Sequence, residues 1–596
     1  MSTEANYDRR AGVYLEVMAA RMGRLAAMIV MALLAIGSGY WYLQVVQSAH
    51  YRDLAENNRL RRAPIQAPRG IIEDRWGRIL VENVPSYRLV LDRSLASDLE
   101  RSFAFASGIL ELDEAVLQHR LEAAPRRERR PVIADDLDLS EVARFEAVAL
   151  EHPEFQVEVE QRRLYRHGEQ TAHLLGYLGE ATEEDLIAGE GRLRGGQLVG
   201  KEGVERALDD DLRGRDGNRE LVVDSRNRVI DVLRRTPAEP GETLRLTIDL
   251  DLQQEAVELL RGKVGAIVAI DPRDGAVRAL VSQPSFDPNL FAGELEEGAW
   301  QSIVQRPNNV LQNRAIAATY PPGSVFKIVV GYAGLSEGVI RPSDRIFCGG
   351  QKRIYDRNQR CHKRGGHGWV DFEEAMAKSC DIYFYLKGID IGIENIARWS
   401  RRFGLGRATG VGLHGERAGL VPDPEWSRRV RGVPWYPGET VSVSIGQGPI
   451  LVSPLQAAVL LAAVANGGSL VQPHLVLGSE SPPTPLDLDP AVLDIVARSL
   501  REVVVDGSGA ASGVAGIEVA GKSGTAQVVE QKTWTDNEDL PPEHRDHAWF
   551  ASYAPFEDPE LVVSVFIEHG GSGGSVAAPM AGKILEKYFR QRRQNS

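Results

Sequence analysis

Three short segments join a hydroxyl to an amine or a carboxylate. In YPPGSVFK (Tyr320–Lys327), Ser324 precedes Lys327 by three residues, and no other Lys in the chain has Ser at that spacing. Positions i and i+3 share a helix face, so the amine can reach the hydroxyl. A serine hydroxyl is a weak nucleophile until a neighbouring base takes its proton, and a lysine serves as that base when burial or nearby positive charge lowers its pKa. In EEAMAKSCDIYFYLKG, Ser379 and Asp381 lie two apart, as suits a loop or tight turn. In VAGKSGTAQVV, Lys522, Ser523, Gly524 and Thr525 form the chain's only Lys followed by Ser/Thr-Gly. Its flanks read as a strand, Gly524 admits close approach to the backbone, and the amine and hydroxyls suit a substrate carboxylate. Each segment alone also reads as an ordinary helix cap, turn or strand.

A second group of chemically able residues overlaps the first. Cys348, Cys361 and Cys380 lie within 33 residues, with His367 between them, spaced C-x12-C-x5-H-x12-C. Three thiolates and an imidazole make a Cys3His set suited to structural Zn2+, with His362 and Asp356 as alternative ligands. The competing arrangements are a Cys348–Cys361 disulfide with Cys380 buried, or neither. An odd cysteine number in an oxidising compartment favours the metal. Cys380 sits between Ser379 and Asp381, so a metal there would brace Ser379.

The elements that must hold these residues follow from patterning. Leu25–Tyr51 contains no Asp, Glu, Lys or Arg, and its 22-residue apolar core is long enough to cross a bilayer. It is longer than a cleavable signal's apolar region and ends in Tyr40, Trp41 and Tyr42, which favours an anchor. Arg9, Arg10, Arg21 and Arg24 precede it and predict a cytoplasmic N-terminus with the bulk outside. The predicted organisation is a tail over 1–24, an anchor over 25–47, a non-catalytic pedestal over 48–240 and a catalytic domain over 241–596. Within the pedestal, Ala67–Leu80 reads as a hairpin and Pro125–Pro131 as a solvated basic loop. Beyond the turn-rich Thr236–Glu242, Val264–Asp271 and VRALVS predict antiparallel strands, as do His547–Pro555 and Leu561–His569 near the C-terminus. Strands at both ends with helices between predict an α+β fold. The charge of −13 argues against general nucleic-acid binding.

Taken together and in this order, the three segments resemble the S-x-x-K, S-D-N and K-T-G motifs of penicillin-binding proteins, with Ser523 standing for Thr in the last. With the anchor, the pedestal, and the segments SIGQG (Ser444–Gly448) and GGSGGSVAAPMAGKIL, the chain resembles a class B penicillin-binding protein over nearly its whole length, in the elongation-specific branch. The resemblance implies an α+β, β-lactamase-like transpeptidase domain, with an antiparallel sheet flanked by helices, that cross-links peptidoglycan stem peptides. Ser324 would form the acyl-enzyme and Lys327 would be the base. Ser379 would relay protons, and Lys522, Ser523 and Thr525 would hold the terminal carboxylate. Backbone N–H groups of Ser324 and Thr525 would form the oxyanion hole. Acyl transfer would need no cofactor. Implied partners are a SEDS-type (RodA-like) glycosyltransferase and other elongation-complex proteins, at the bacterial inner membrane. A β-lactamase and a β-lactam-sensing scaffold are the rival readings. The middle motif ends in Asp381 where the general pattern has Asn. A carboxylate there would hold Lys327 charged unless it points away or another cation offsets it.

Overall fold

The computed structural model describes residues 4–51, 60–96, 98–124, 129–190, 192–223, 229–293, 298–529 and 536–595. The chain forms two compact units, Met1–Ala67 with Gly214–Pro240, and Pro68–Arg213 with Gly241–Ser596. The first contains the helix Glu4–Trp41 and an antiparallel sheet ordered Leu60–Ile65, Gly217–Val223, Val229–Thr236. The stretch Val17–Val46 is long and apolar enough to cross a membrane. It begins eight residues before the expected anchor, because the helix runs unbroken through the segment expected as a separate tail.

The second unit holds the catalytic segments. Its central sheet has five antiparallel strands in the order Val277–Gln283, Gly265–Ile270, Leu561–Ile567, His547–Ala554, Ala520–Ala526. Both faces are covered, so the strands read as continuous apolar runs. Ile267 and Ala269 face a core built with the helices Leu250–Leu259 and Ala578–Asn595. Ala266, Val268 and Ile270 face the other core, which includes the apolar helix Pro454–Ala465 and the helix Lys327–Ser336. The expected α+β class and antiparallel sheet agree with this architecture. The last strand in the order, Ala520–Ala526, carries Lys522–Thr525 and, among the described residues, pairs on one side only.

A unit boundary falls at Pro240/Gly241, but most of the segment read as the pedestal, Pro68–Arg213, belongs to the same compact unit as Gly241–Ser596. Ile72–Glu73 pairs antiparallel with Ile79–Leu91, the expected hairpin, and parallel with Leu244–Arg245. Ile72, Leu80, Val81, Tyr165 and Leu174 belong to the same core as Val268 and Phe566. Burial across that seam fuses the pedestal's base to the catalytic domain. There Glu205 is fully buried and receives hydrogen bonds from Arg69 Nε at 2.6 Å and Arg163 Nε at 2.8 Å. Of the basic run, 125–128 lies outside the described residues. Arg129 pairs with Asp92 and Arg130 with Glu158.

Candidate active site

The Ser324 turn is built by Pro321, Pro322 and Gly323. Gly323–Phe326 is one 3-10 turn that continues into the helix Lys327–Ser336. Gly323 has φ +53°, and a Cβ on it would lie 2.5 Å from Thr525 O, so only glycine lets the turn approach the 520–526 strand this closely. Ser324 is half-buried at the start of the turn, while Lys327 is fully buried one turn on.

Lys327 Nζ donates to Asp381 Oδ1 at 2.7 Å, to Ser379 O at 2.9 Å and to Ser379 Oγ at 3.3 Å. Lys522 Nζ reaches the same Ser379 Oγ at 3.0 Å and also bonds Ser523 O. Ser379 Oγ therefore sits between two buried amines. Ser379 holds that place in a left-handed conformation, φ +54°, in the turn between the helices Phe372–Ala377 and Asp381–Ile391. Such strain in a non-glycine residue is typical of functional sites.

Asp381 does not point away from Lys327. Its second oxygen, Oδ2, accepts from the His362 backbone N at 3.0 Å and lies 3.4 Å from His362 Nδ1. Burial works against the Asp381 charge, yet the Lys327 ammonium and His362 outweigh it and hold the carboxyl below its usual range. Burial pulls His362 down, but Asp381 and Cys361 push its imidazole up to about 9. The offsetting cation anticipated from the sequence is thus His362. Burial, together with the Lys327 charge, holds Lys522 well below the ordinary lysine range. Burial thus makes Lys522 the more readily deprotonated of the two amines that share the Ser379 hydroxyl.

The remaining motif residues divide between the two sides of their strand. The Ser523 hydroxyl is engaged with Ser508 Oγ at 2.6 Å. Thr525 Oγ1 accepts from Gly573 N at 3.4 Å. A Cβ on Gly524 would fall 2.8 Å from Pro322 O, so this glycine admits the Ser324 turn itself. The loop SIGQG closes the other side. Gly446 O accepts from Gly323 N at 3.0 Å, and Gln447 Nε2 donates to Thr525 O at 3.1 Å.

The cysteine cluster assembles directly behind Ser379. Cys348 ends the strand Ile346–Cys348, Cys361 follows the hairpin strand Arg357–Arg360, and His367 precedes the strand Gly368–Val370. Cys380 caps the helix that begins with Asp381. The four ligand atoms all lie within 4.8 Å of one another, and His367 Nδ1 is 3.5 Å from Cys361 Sγ and 3.7 Å from Cys348 Sγ. Cys361, His362 and Asp381 form a second metal-sized group, and Asp356, exposed on the hairpin, belongs to neither among the described residues.

Residues 265–586 match the penicillin binding protein transpeptidase domain, and residues 64–246 match the penicillin-binding protein dimerisation domain. The peptidoglycan D,D-transpeptidase MrdA of Haemophilus influenzae is 34% identical over 580 residues, spanning 93% of this chain and 89% of its own length. MrdA of Escherichia coli K12 is 32% identical over 565 residues, 90% of this chain and 89% of its own. The chain belongs to the class B penicillin-binding proteins, in the penicillin-binding protein 2 branch. Among solved members, Helicobacter pylori penicillin-binding protein 2 in complex with MreC superposes with a TM-score of 0.80 at 28% identity, over 89% of this chain and 99% of that one. Pseudomonas aeruginosa penicillin-binding protein 2 in complex with WCK 5153 gives 0.67 at 32%, over 89% and 96%.

Within this class B protein, the sequence motifs converge on one site as expected. Sequence patterning gives no signal for Ser508, and it offers His362 only as an alternative metal ligand and Gly573 only within GGSGGSVAAPMAGKIL, not as partners of Asp381 and Thr525. The SIGQG segment was seen, but the packing of Gly446 on the Ser324 turn was not. The local signal in the sequence is the Gly446-Gln447-Gly448 triplet, whose two glycines both take positive φ.

Proposed function

We propose that the chain is a serine-type peptidoglycan D,D-transpeptidase of cell elongation, working through an acyl-enzyme on Ser324. The observation that carries this reading is the Ser379 hydroxyl held between two buried lysines beside the Ser324 turn. Ser324 Oγ attacks the penultimate D-Ala carbonyl of a stem peptide, and its proton passes to Lys327. Lys327 is made ready when its own proton moves through Ser379 Oγ to Lys522, whose affinity for a proton burial and the Lys327 charge lower, and which as an ammonium then faces the substrate carboxylate. The tetrahedral oxyanion is held by backbone N–H groups of Ser324 and Thr525. As the C–N bond breaks, the D-Ala amine leaves with a proton returned through Ser379. An amine of a neighbouring stem peptide then attacks the acyl carbon, releases Ser324 and forms the cross-link. The donor stem lies along the unpaired edge of the 520–526 strand, with its terminal carboxylate at Lys522 and Thr525.

The Cys348–Cys361–His367–Cys380 set would hold structural Zn2+. Tetrahedral bonds of about 2.3 Å to sulfur and about 2.0 Å to nitrogen put neighbouring ligand atoms about 3.5–3.8 Å apart, and the S–N separations fall in that range. The Cys361 and Cys380 thiols share a hydrogen bond that pulls Cys361 toward thiolate and, with burial, pushes Cys380 the other way, so a metal would have to displace the proton that Cys380 keeps. The metal would fix the Ser379 turn and supply no catalytic water.

The helix through Val17–Val46 anchors the chain in the inner membrane, with its N-terminus in the cytoplasm and its catalytic unit in the periplasm. Its partners are a SEDS-type, RodA-like glycosyltransferase and other elongation-complex proteins. A solved relative titled as a peptidoglycan synthase complex, with a TM-score of 0.71 over 96% of this chain, supports that reading. Functionally, the family matches favour a pedestal ending near residue 246, even though its base shares the catalytic core.

The test is labelling of the full-length protein with fluorescent penicillin, followed by peptide mass spectrometry. The expected adduct is on Ser324 and is absent in Ser324→Ala. An adduct on another residue would overturn the assignment.

A further inference from the structure

The outer edge of the 520–526 strand has an occupant of its own. In an antiparallel pair, alternate residues turn both N–H and C=O toward the partner strand, and the residues between turn theirs away. Gly524 lies opposite Trp549, and Thr525 lies opposite Ala548. The carbonyl oxygens of Gly524 and Trp549 both lie within 2.2 Å of the point where a Cβ on Gly573 would stand, so these two carbonyls meet between the strands. Thr525, one residue on, therefore turns its N–H and C=O to the outer edge. That edge faces the Ser324 turn, because a Cβ on Gly323 would lie 2.5 Å from Thr525 O.

An extended peptide that adds to this edge would use the Thr525 carbonyl as the acceptor for one of its amide N–H groups. In the structure that oxygen accepts from the carboxamide Nε2 of Gln447 at 3.1 Å. Gly323 closes off another side of the same oxygen, so the carboxamide stands in the approach that remains. The backbone of Gln447 is fixed, its N donating to Ser442 O at 3.0 Å. Its side chain is half-buried, and among the described residues the bond to Thr525 O is the one hydrogen bond its carboxamide makes. Rotation about the side-chain bonds alone would release the carbonyl. We propose that Gln447 is a resident stand-in for the donor peptide: its carboxamide holds the Thr525 carbonyl until an amide N–H of the donor displaces it. The residue sets specificity, because a ligand that presents an N–H at this point replaces the bond it breaks, and a ligand without one does not.

The identity of the donor rests on the transpeptidase reading, and the experiment keeps the two apart. Benzylpenicillin carries an acylamino N–H beside its lactam carbonyl, whereas sulbactam has only hydrogen at that carbon. Second-order acylation rates of the full-length protein in detergent are measured with each compound, for the parent, Gln447→Ala and Gln447→Met. Methionine keeps the length of the side chain and removes the donor. Benzylpenicillin is expected to acylate both variants about fivefold faster than the parent, the scale of one neutral hydrogen bond that no longer has to be displaced. Sulbactam is expected to acylate all three at the same rate. Peptide mass spectrometry locates the adduct, and an adduct away from Ser324 would overturn the acyl-enzyme reading and this inference with it. With the adduct on Ser324, unchanged or slower acylation of the variants by benzylpenicillin would overturn this inference alone, since Gln447 would then brace the strand. An equal acceleration with sulbactam would overturn it as well, because the effect would not depend on the N–H.

Discussion

Gly446→Ala separates positioning of the nucleophile from stability of the fold. Gly446 has φ +74°, and its carbonyl accepts the Gly323 N–H at the base of the Ser324 turn. A Cβ at Gly446 would lie 2.0 Å from Gly323 O, and 2.8 Å from both Gly323 C and Phe326 Cβ. A carbon needs about 3.3 Å from a carbonyl oxygen, so the turn or the loop must retreat by more than about 1 Å. A misplacement of about 1 Å costs on the order of 100-fold in rate, about 2.7 kcal/mol of barrier. The left-handed backbone adds about 1–2 kcal/mol of instability for any L side chain. Gly448→Ala is the matched control. Its φ is +77°, but the nearest atom to a new Cβ is Ser442 Cβ at 3.6 Å, an ordinary contact. Both variants carry the left-handed cost in thermal melting, and Gly446→Ala is expected to melt lower because its backbone clash adds to it. Only Gly446→Ala is expected to lose about 100-fold in penicillin acylation rate, followed as a labelling time course. Parent-like acylation in Gly446→Ala would refute the reasoning, and so would an equal loss in Gly448→Ala.

Three further outcomes are expected. Cys348→Ser should lose metal by native mass spectrometry and melt at lower temperature, and unchanged zinc content would remove Cys348 from the ligand set. Glu205→Ala leaves Arg69 and Arg163 buried without their shared carboxylate, and denaturant titration should show a loss of about 3–5 kcal/mol. Burial holds His173 neutral and down at about 4. The unfolded chain takes up that proton near 6.5 and the folded chain only near 4, so stability is lost as pH falls through this window, by up to about 3 kcal/mol. His173→Gln should flatten that part of the stability–pH curve, and an unaltered slope would assign it to other groups.

The sequence by itself determined the parts whose signals are local. The apolar stretch ending at Tyr51 predicts a membrane-length helix, and Val264–Asp271 and Leu561–His569 predict strands because buried strands must be apolar on both faces. The three catalytic segments were legible because acyl transfer requires a hydroxyl, an amine and a carboxylate-binding strand, and each leaves its own short spacing. The cysteines were visible as a set, but spacings of twelve residues could not say whether they meet. Two hairpins and a helix cap bring them together. Only the tertiary structure decided that Asp381 turns toward Lys327 and is balanced by His362, that Ser523 is held by Ser508, and that Gly446 seats the Ser324 turn. These pairs are joined by contacts between separate elements, up to 123 residues apart for Gly323 and Gly446. A single chain carries no periodic trace of such a contact, because it is fixed by the packing of whole elements and by the need to satisfy each buried charge and backbone group where they meet. The seam between pedestal and catalytic domain follows the same rule. Turn residues near 240 mark where the chain bends, while the shared apolar core shows where the protein is cohesive.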